Sequence, residues 1–265
     1  MSVEKIDKGF SKISFHYENL EYTSSLIPYL RRRIYKHLEK KLKPGAEILE
    51  INCGTGIDAV YLAKRGYRVL GTDIAQGMLS IAEEKVRREG LKARLIFQRL
   101  ANADLDKLKP RRFDHIFSNF GGLNCSPPEE LKKILQTFPH LLKPQGKITL
   151  VIMPKICLWE MARIFKGNKS AFRRLKKGGT VARIEGEQVR TFYYSAREIK
   201  QLLQPDFDHF EVENLSFIGP TGNRIHFPEK YPRIFSFLMK WDVISGKIPF
   251  LQGMGDYFII SAQKK

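Results

Sequence analysis

Residues 48–59 read Ile-Leu-Glu-Ile-Asn-Cys-Gly-Thr-Gly-Ile-Asp-Ala, and this run decides the fold class of the 265-residue chain. A short apolar stretch, 48–52, ends in a turn holding Gly54 and Gly56. Residues 57–65 then place Val60, Leu62 and Ala63 on one side, as a helix does, and Gly66 stops them. The turn matches Gly-x-Gly-x-x-[Gly/Ala], the pattern of a dinucleotide-binding loop between a strand and a helix. Glycines let such a loop turn sharply and let a ligand come close to the backbone. A second strand, 68–72, is followed at once by Asp73, whose carboxylate can accept hydrogen bonds from the hydroxyls of an adenosine ribose.

Outward from this run, the alternation continues. Residues 78–89 are a predicted helix closed by Gly90, 93–97 a third strand and 113–118 a fourth. Pro128 with Glu129 and Glu130 opens a helix to about residue 142, and Lys143-Pro144-Gln145-Gly146 turns into a fifth strand, 147–153. Strand and helix alternating at this spacing imply a parallel sheet covered on both faces. Before the core, 20–42 read as a helix, with Leu26, Ile27, Leu30, Ile34 and Leu38 on one face. After it, a basic amphipathic segment, 158–177, leads to a hairpin of 181–184 with 189–193. A helix over 195–203 carries a capping box, Ser195 with Glu198. Strands are expected at 210–217 and 256–262, with a helical patch at 233–243. The expected organisation is one domain, 1–265. An N-terminal helical segment (1–45) precedes a cofactor-binding core (46–153). A first insertion (154–194), further core (195–217), a second insertion (218–254) and a last strand (255–265) follow.

Composition bounds the class. The chain is 43% hydrophobic and 11% aromatic, which is enough for a buried core and excludes global disorder. It contains no apolar run of about 18 residues, so a transmembrane helix is not expected. The opening residues lack the pattern of a signal peptide. Cys53, Cys125 and Cys157 lie far apart and are odd in number, so neither a disulfide scaffold nor a metal site is expected, and the expected location is cytoplasmic. The formal net charge is +18, concentrated in residues 31–43 (RRRIYKHLEKKLK) and 160–200, which raises the question of a nucleic-acid partner.

The acids around the loop bear on the ligand. A dinucleotide sets its pyrophosphate at the helix N-terminus. Here Asp58 stands in that first turn and Glu50 just before the loop, an arrangement expected to disfavour a diphosphate and favour a cationic adenosine ligand. S-adenosylmethionine, with its sulfonium and ammonium groups, is such a ligand.

Four ordered segments, ILEINCGTG, TDIAQGML, FDHIFSNFGGLN and LLKPQGKITLVIMP, resemble the motifs of class I S-adenosylmethionine-dependent methyltransferases. The likeness is to the type 11, quinone-biosynthesis-like, small-molecule group; it covers residues 45–153 and more loosely the rest. It implies a Rossmann-like α/β fold: a seven-stranded, mostly parallel sheet with its last strand antiparallel, helices on both faces and two lid insertions. It also implies that S-adenosylmethionine is the cofactor and leaves as S-adenosylhomocysteine. By position, Glu50, Asn52, Gly54 and Gly56 form the cofactor loop, the first three along its methionine part. Asp73 binds the ribose, Ile74 and Met78 flank the adenine, and Asn119 and Phe120 sit next to the methyl sulfonium. The family's usual adenine-binding aspartate falls here on Ala101, followed by Asn102; the Asn102 carbonyl, or Asp104 after a shift of register, is the alternative.

For a general base the candidates are His16 and Tyr17, which precede the predicted N-terminal helix. His140 and His226 carry less weight, and no hydrolytic triad, paired carboxylates or His-Glu-x-x-His pattern occurs. The insertions follow strands five and six and are the natural lid and acceptor pocket, with Trp159, Phe165, Tyr193, Tyr194, Phe217 and Phe227 as their aromatic side chains. The function expected is methyl transfer to a small-molecule or lipid-like acceptor. One alternative is a nucleic-acid methyltransferase using the basic segments, although Ser118-Asn119-Phe120-Gly121 is not the Asn/Asp-Pro-Pro-aromatic signature of base amine enzymes. A second is a basic module binding a membrane surface through 231–244. No obligate protein partner is inferred.

Overall fold

Two helices open the chain, α1 (Val3–Thr23) and α2 (Leu26–Glu39). The alternating core is β1 (Glu47–Ile51), α3 (Ile57–Lys64), β2 (Arg68–Asp73), α4 (Gln76–Arg88), β3 (Leu95–Arg99), β4 (Phe113–Ser118), α5 (Pro128–Leu141) and β5 (Leu142–Ile152). There follow α6 (Leu158–Met161), the hairpin β6 (Thr180–Ile184) and β7 (Glu187–Thr191), and α7 (Ala196–Leu203). The chain finishes with β8 (Phe207–Leu215), α8 (Phe227–Lys230), α9 (Pro232–Ser245) and β9 (Tyr257–Lys264). This computed structural model describes residues 3–161, 169–184, 187–222, 224–246, 248 and 251–265.

One seven-stranded sheet has the order β3-β2-β1-β4-β5-β9-β8. Strands β1 to β5 run parallel, and β9 enters antiparallel between β5 and β8, as the motifs imply. The strand order reverses between β1 and β4, the place where open α/β sheets bind ligands.

Period-two alternation puts neighbouring residues on opposite faces. Ile116, Leu150 and Ile260 are buried in one cluster, with Leu131, Ile134 and Phe138 of α5 and Ile199 of α7. Their chain neighbours Phe117, Val151 and Ile259 are buried in the other, with Ile34 and Leu38 of α2 and Ala59 and Leu62 of α3. Both faces are therefore covered by helices. Each such buried Leu, Ile or Phe contributes about 1.5–3 kcal/mol relative to exposure.

Three sequence expectations change in detail. The helix read over 20–42 is two helices, because the buried Ser24 Oγ accepts from the amides of Leu26 (3.2 Å) and Ile27 (3.3 Å) and caps a new helix. His16 and Tyr17 thus lie within α1 rather than before a helix. The 143–146 turn is instead an irregularity inside β5, with Gln145 at φ +61° and a register shift between Phe113 and His115. In the 158–177 segment the structure shows α6 and a 3-10 turn at Lys169–Leu175; Phe165 lies outside the described residues. The capping box at Ser195 forms as expected, with Glu198 N donating to Ser195 Oγ at 3.2 Å and Ser195 N to Glu198 Oε2 at 2.8 Å.

Candidate active site at the carboxyl ends of the central strands

Register brings the site together. Ile51 of β1 lies beside Thr72 of β2 and Ser118 of β4, so Asn52, Asp73 and Asn119 emerge at one edge of the sheet. A cavity of about 190 Å³ opens there. Of the sequence-predicted residues, Tyr17, Asn52, Gly54, Asp73, Ile74, Met78, Asn119 and Phe120 line it. Larger clefts, of about 610, 570, 480 and 350 Å³, lie elsewhere on the surface and hold no residue of the glycine loop.

The loop leaves β1 with Asn52, Gly54 and Gly56 all at positive φ (+56°, +53° and +73°). Asparagine and glycine tolerate that region where other residues are strained. The two glycines serve different ends. A Cβ on Gly54 would meet nothing nearer than Tyr17 Cε1 at 3.8 Å, on the cavity side. A Cβ on Gly56 would stand 2.5 Å from Phe97 Cζ and 3.0 Å from Ala82 Cβ. Gly56, still within the loop, thus packs closely against β3 and α4 and is not among the residues of the cavity wall.

Asp73 is held by the backbone. Its Oδ2 accepts from Gly54 N at 2.8 Å and its Oδ1 from Ala75 N at 2.9 Å. Burial raises its pKa and these amide hydrogen bonds oppose that rise. Carboxylate lone pairs beyond those two bonds can take the hydroxyls of a ribose.

Asp58 corrects the argument from charge. Its carboxylate pairs with the buried Arg31 and accepts from Tyr35 Oη (2.6 Å) and Asn119 Nδ2 (2.9 Å). This acid is compensated from within the protein and does not present free charge to a ligand. Glu50 is buried, and burial together with Asp58 pushes its pKa well up, against the pull of Arg31. Of the two acids read from the sequence as a cation-selecting pair, Asp58 is thus engaged within the protein. Glu50 Oε2 and Thr55 Oγ1, at either end of the loop, are buried without a hydrogen-bond partner. Neither residue is in the cavity wall.

Helix α1 covers the site. Ser11 Oγ accepts from Gly77 N at 2.9 Å, Asp7 pairs with Arg99, and Glu18 pairs with Lys85 at 2.6 Å. Lys85 in turn donates to Thr55 O at 2.9 Å, lacing α1 to the glycine loop. Phe10 and Tyr17 reach into the cavity from this helix, and with them it is smaller than the ~300–1,000 Å³ of most ligand sites. His16 is exposed and lies off the cavity wall. Desolvation holds the Tyr17 phenol above its usual range.

Ala101 and Asn102 are not in the cavity wall; Asn102 Nδ2 donates to Asn52 Oδ1 at 3.2 Å and so braces the loop from behind. Asp104 is turned to Lys107 at 3.0 Å. Seven further wall residues were not among the predicted site residues: Phe10, Gly121, Gly122, Cys125, Met153, Val189 and Thr191. The pair Gly121-Gly122 was legible in principle, since a Cβ on Gly122 would fall 2.4 Å from Asn52 Cβ. The first insertion reaches the cavity through Val189 and Thr191; among the described residues, 218–254 supply none of its wall. Cys157, Glu160 and Asp256 bring ligand atoms within 4.8 Å of one another, but the cation among them is Arg174, which donates to Glu160 (2.8 Å) and Asp256 (2.6 Å).

The basic run at 31–33 is only partly a surface. Arg31 is buried on Asp58 and Glu21, Arg33 pairs with Glu213 at 2.8 Å and with Asp242, and only Arg32 faces solvent. Two of its three guanidinium groups are therefore spent inside the fold rather than offered to phosphates.

A methyltransferase-domain family profile matches residues 48–146. An uncharacterised protein of Methanocaldococcus jannaschii is 29% identical over 78% of this chain and 76% of its own. The demethylmenaquinone methyltransferase of Bacteroides fragilis is 30% identical over 61% of this chain, a match spanning 65% of that enzyme. A solved S-adenosylmethionine-dependent methyltransferase from Methanosarcina mazei aligns over 86% of this chain and 96% of its own, with a TM-score of 0.57 and 22% identity. With the strand order, the glycine loop and Asp73 already placed, these likenesses identify a methyltransferase domain over residues 48–146 and make the chain an S-adenosylmethionine-dependent methyltransferase, similar to the demethylmenaquinone enzymes.

Proposed function

We propose that this chain methylates a small, lipid-like acceptor of the quinol type. The observation that carries the reading is the mixed lining of the cavity. It offers Asp73, Asn52 and the open Gly54 together with the apolar Phe120, Met153 and Val189 and the thiol of Cys125. Bound S-adenosylmethionine supplies an electrophilic sulfonium methyl group. Asp73 would hold the ribose, Ile74 and Met78 the adenine, and Asn52 with Gly54 the methionine part. The apolar residues of the lining would pack on the acceptor ring.

Among the described residues, the titratable side chains in the wall are Tyr17, Asp73 and Cys125. Burial raises all three, the Cys125 thiol to about 12. That set suits an acceptor that is itself readily ionised or electron-rich, for which orientation is the main demand. Holding the reactants in line is worth roughly 7–11 kcal/mol. The demethylmenaquinone enzyme among the relatives favours a quinol over other acidic acceptors.

The test is transfer of labelled methyl from S-adenosylmethionine to a polyprenylated hydroquinone in detergent, with total RNA offered in parallel. Label is expected in the lipid fraction. Label in RNA alone would overturn the proposal in favour of a nucleic-acid acceptor.

A further inference from the structure

Helix α9 is built inside out. A surface helix normally buries its apolar stripe and gives its polar residues to water. In α9 the fully buried side chain is Asp242, which pairs with Arg33 and accepts from the amides of Ser216 (3.1 Å), Ile218 (2.7 Å) and Gly219 (3.1 Å). Ser245 and Met239 are buried beside it. On the other side, Ile234, Phe237, Trp241 and Ile244 are 52%, 63%, 49% and 55% exposed. Steps of three and four residues align them along one face. The Phe237 and Trp241 rings stand 6.3 Å apart, so the stripe is continuous.

Charge says what covers this face. Lys230, Arg233 and Lys240 flank it and are exposed. The acids of the same segment are engaged, Asp242 with Arg33 and Glu229 with Ser25. The whole chain carries +18. A second copy would bring two strongly positive surfaces together, whereas an anionic bilayer satisfies the cations and the apolar side chains at once. We propose that the outer face of α9 docks the protein on an anionic lipid surface. With 14 residues the helix is too short to span a bilayer and would lie in its interface, Phe237 and Trp241 inward. The inference does not depend on which acceptor the cavity takes.

The full chain should co-sediment with vesicles of equal parts phosphatidylglycerol and phosphatidylcholine, and poorly with phosphatidylcholine alone. Phe237→Ser combined with Ile244→Ser should lower that binding about tenfold or more. The pair leaves Asp242 and its anchors intact, and calorimetric binding of S-adenosylmethionine checks the fold. Tryptophan emission should shift to the blue on the anionic vesicles and not in Trp241→Phe. Absent sedimentation, or sedimentation unchanged in the double variant, would overturn the proposal. So would a dimer in vesicle-free light scattering that the same substitutions dissolve, because a second copy would then be the occupant.

Discussion

The amide of Gly54 donates to Oδ2 of Asp73 at 2.8 Å, so the glycine loop and the acid at the end of β2 are fastened together within the protein itself. Under the proposed function the carboxylate would have two duties, shaping the loop and receiving the ribose. Asp73→Ala should weaken S-adenosylmethionine binding by more than about tenfold, the worth of a charge-assisted hydrogen bond. Calorimetry on the folded variant checks this, and an unchanged affinity would remove Asp73 from the site.

Gly54 and Gly56 should separate stability from binding. Gly56→Ala drives a Cβ to 2.5 Å from Phe97 and adds strain at φ +73°, so about 1–3 kcal/mol of stability should be lost in urea unfolding. Shortening the ring in Phe97→Leu should restore part of it. Gly54→Ala shares the strain of positive φ (+53°) but meets no atom nearer than 3.8 Å, so it should cost less stability than Gly56→Ala while lowering cofactor affinity.

Arg31 holds Asp58 from 27 residues away in sequence. Removing one partner of a buried pair strands the other charge, typically at 3–5 kcal/mol. Arg31→Met should therefore destabilise by about that amount, and adding Asp58→Asn should recover much of it. Unfolding of the two variants beside the parent decides the matter; no recovery would mean that Arg31 acts through packing instead, including its guanidinium 4.8 Å over Phe120.

His115 predicts a pH dependence. It is buried on β4 with Nε2 3.0 Å from Thr149 Oγ1, and burial, helped by nearby cations, lowers its pKa from 6.5 to about 3. Between those values the unfolded chain binds the proton and the folded chain does not. Its contribution is therefore fully present above pH 6.5 and is lost as pH falls towards 3. His115→Asn should flatten that part of the stability–pH profile by an amount of the order of a few kcal/mol. An unchanged slope would show that other groups dominate.

What was legible in the sequence was local. The glycine loop, its flanking strand and helix, the Asp73 that ends the next strand and the capping box at Ser195 each lie within a few residues of their partners. Hydrophobic periodicity and turn chemistry act at that range. His16 and Tyr17 were equivalent by that measure, and only the rotation of α1 on the core separates the exposed imidazole from the phenol in the wall.

The sequence by itself determined the strand–helix order, the ligand edge of the sheet and the residue types of the cofactor loop, because these follow from spacing along one stretch of chain. Only the tertiary structure decided where the charges went. Arg31 found Asp58, Arg33 found Glu213 and Asp242, and Arg174 found Glu160 and Asp256, so several of the cations that make the chain basic are internal. Pairing and burial depend on what distant segments bring to the same place. The same holds for the cavity's far wall, where Met153 and Val189 meet Phe10 only because α1 and the hairpin fold over one end of the sheet.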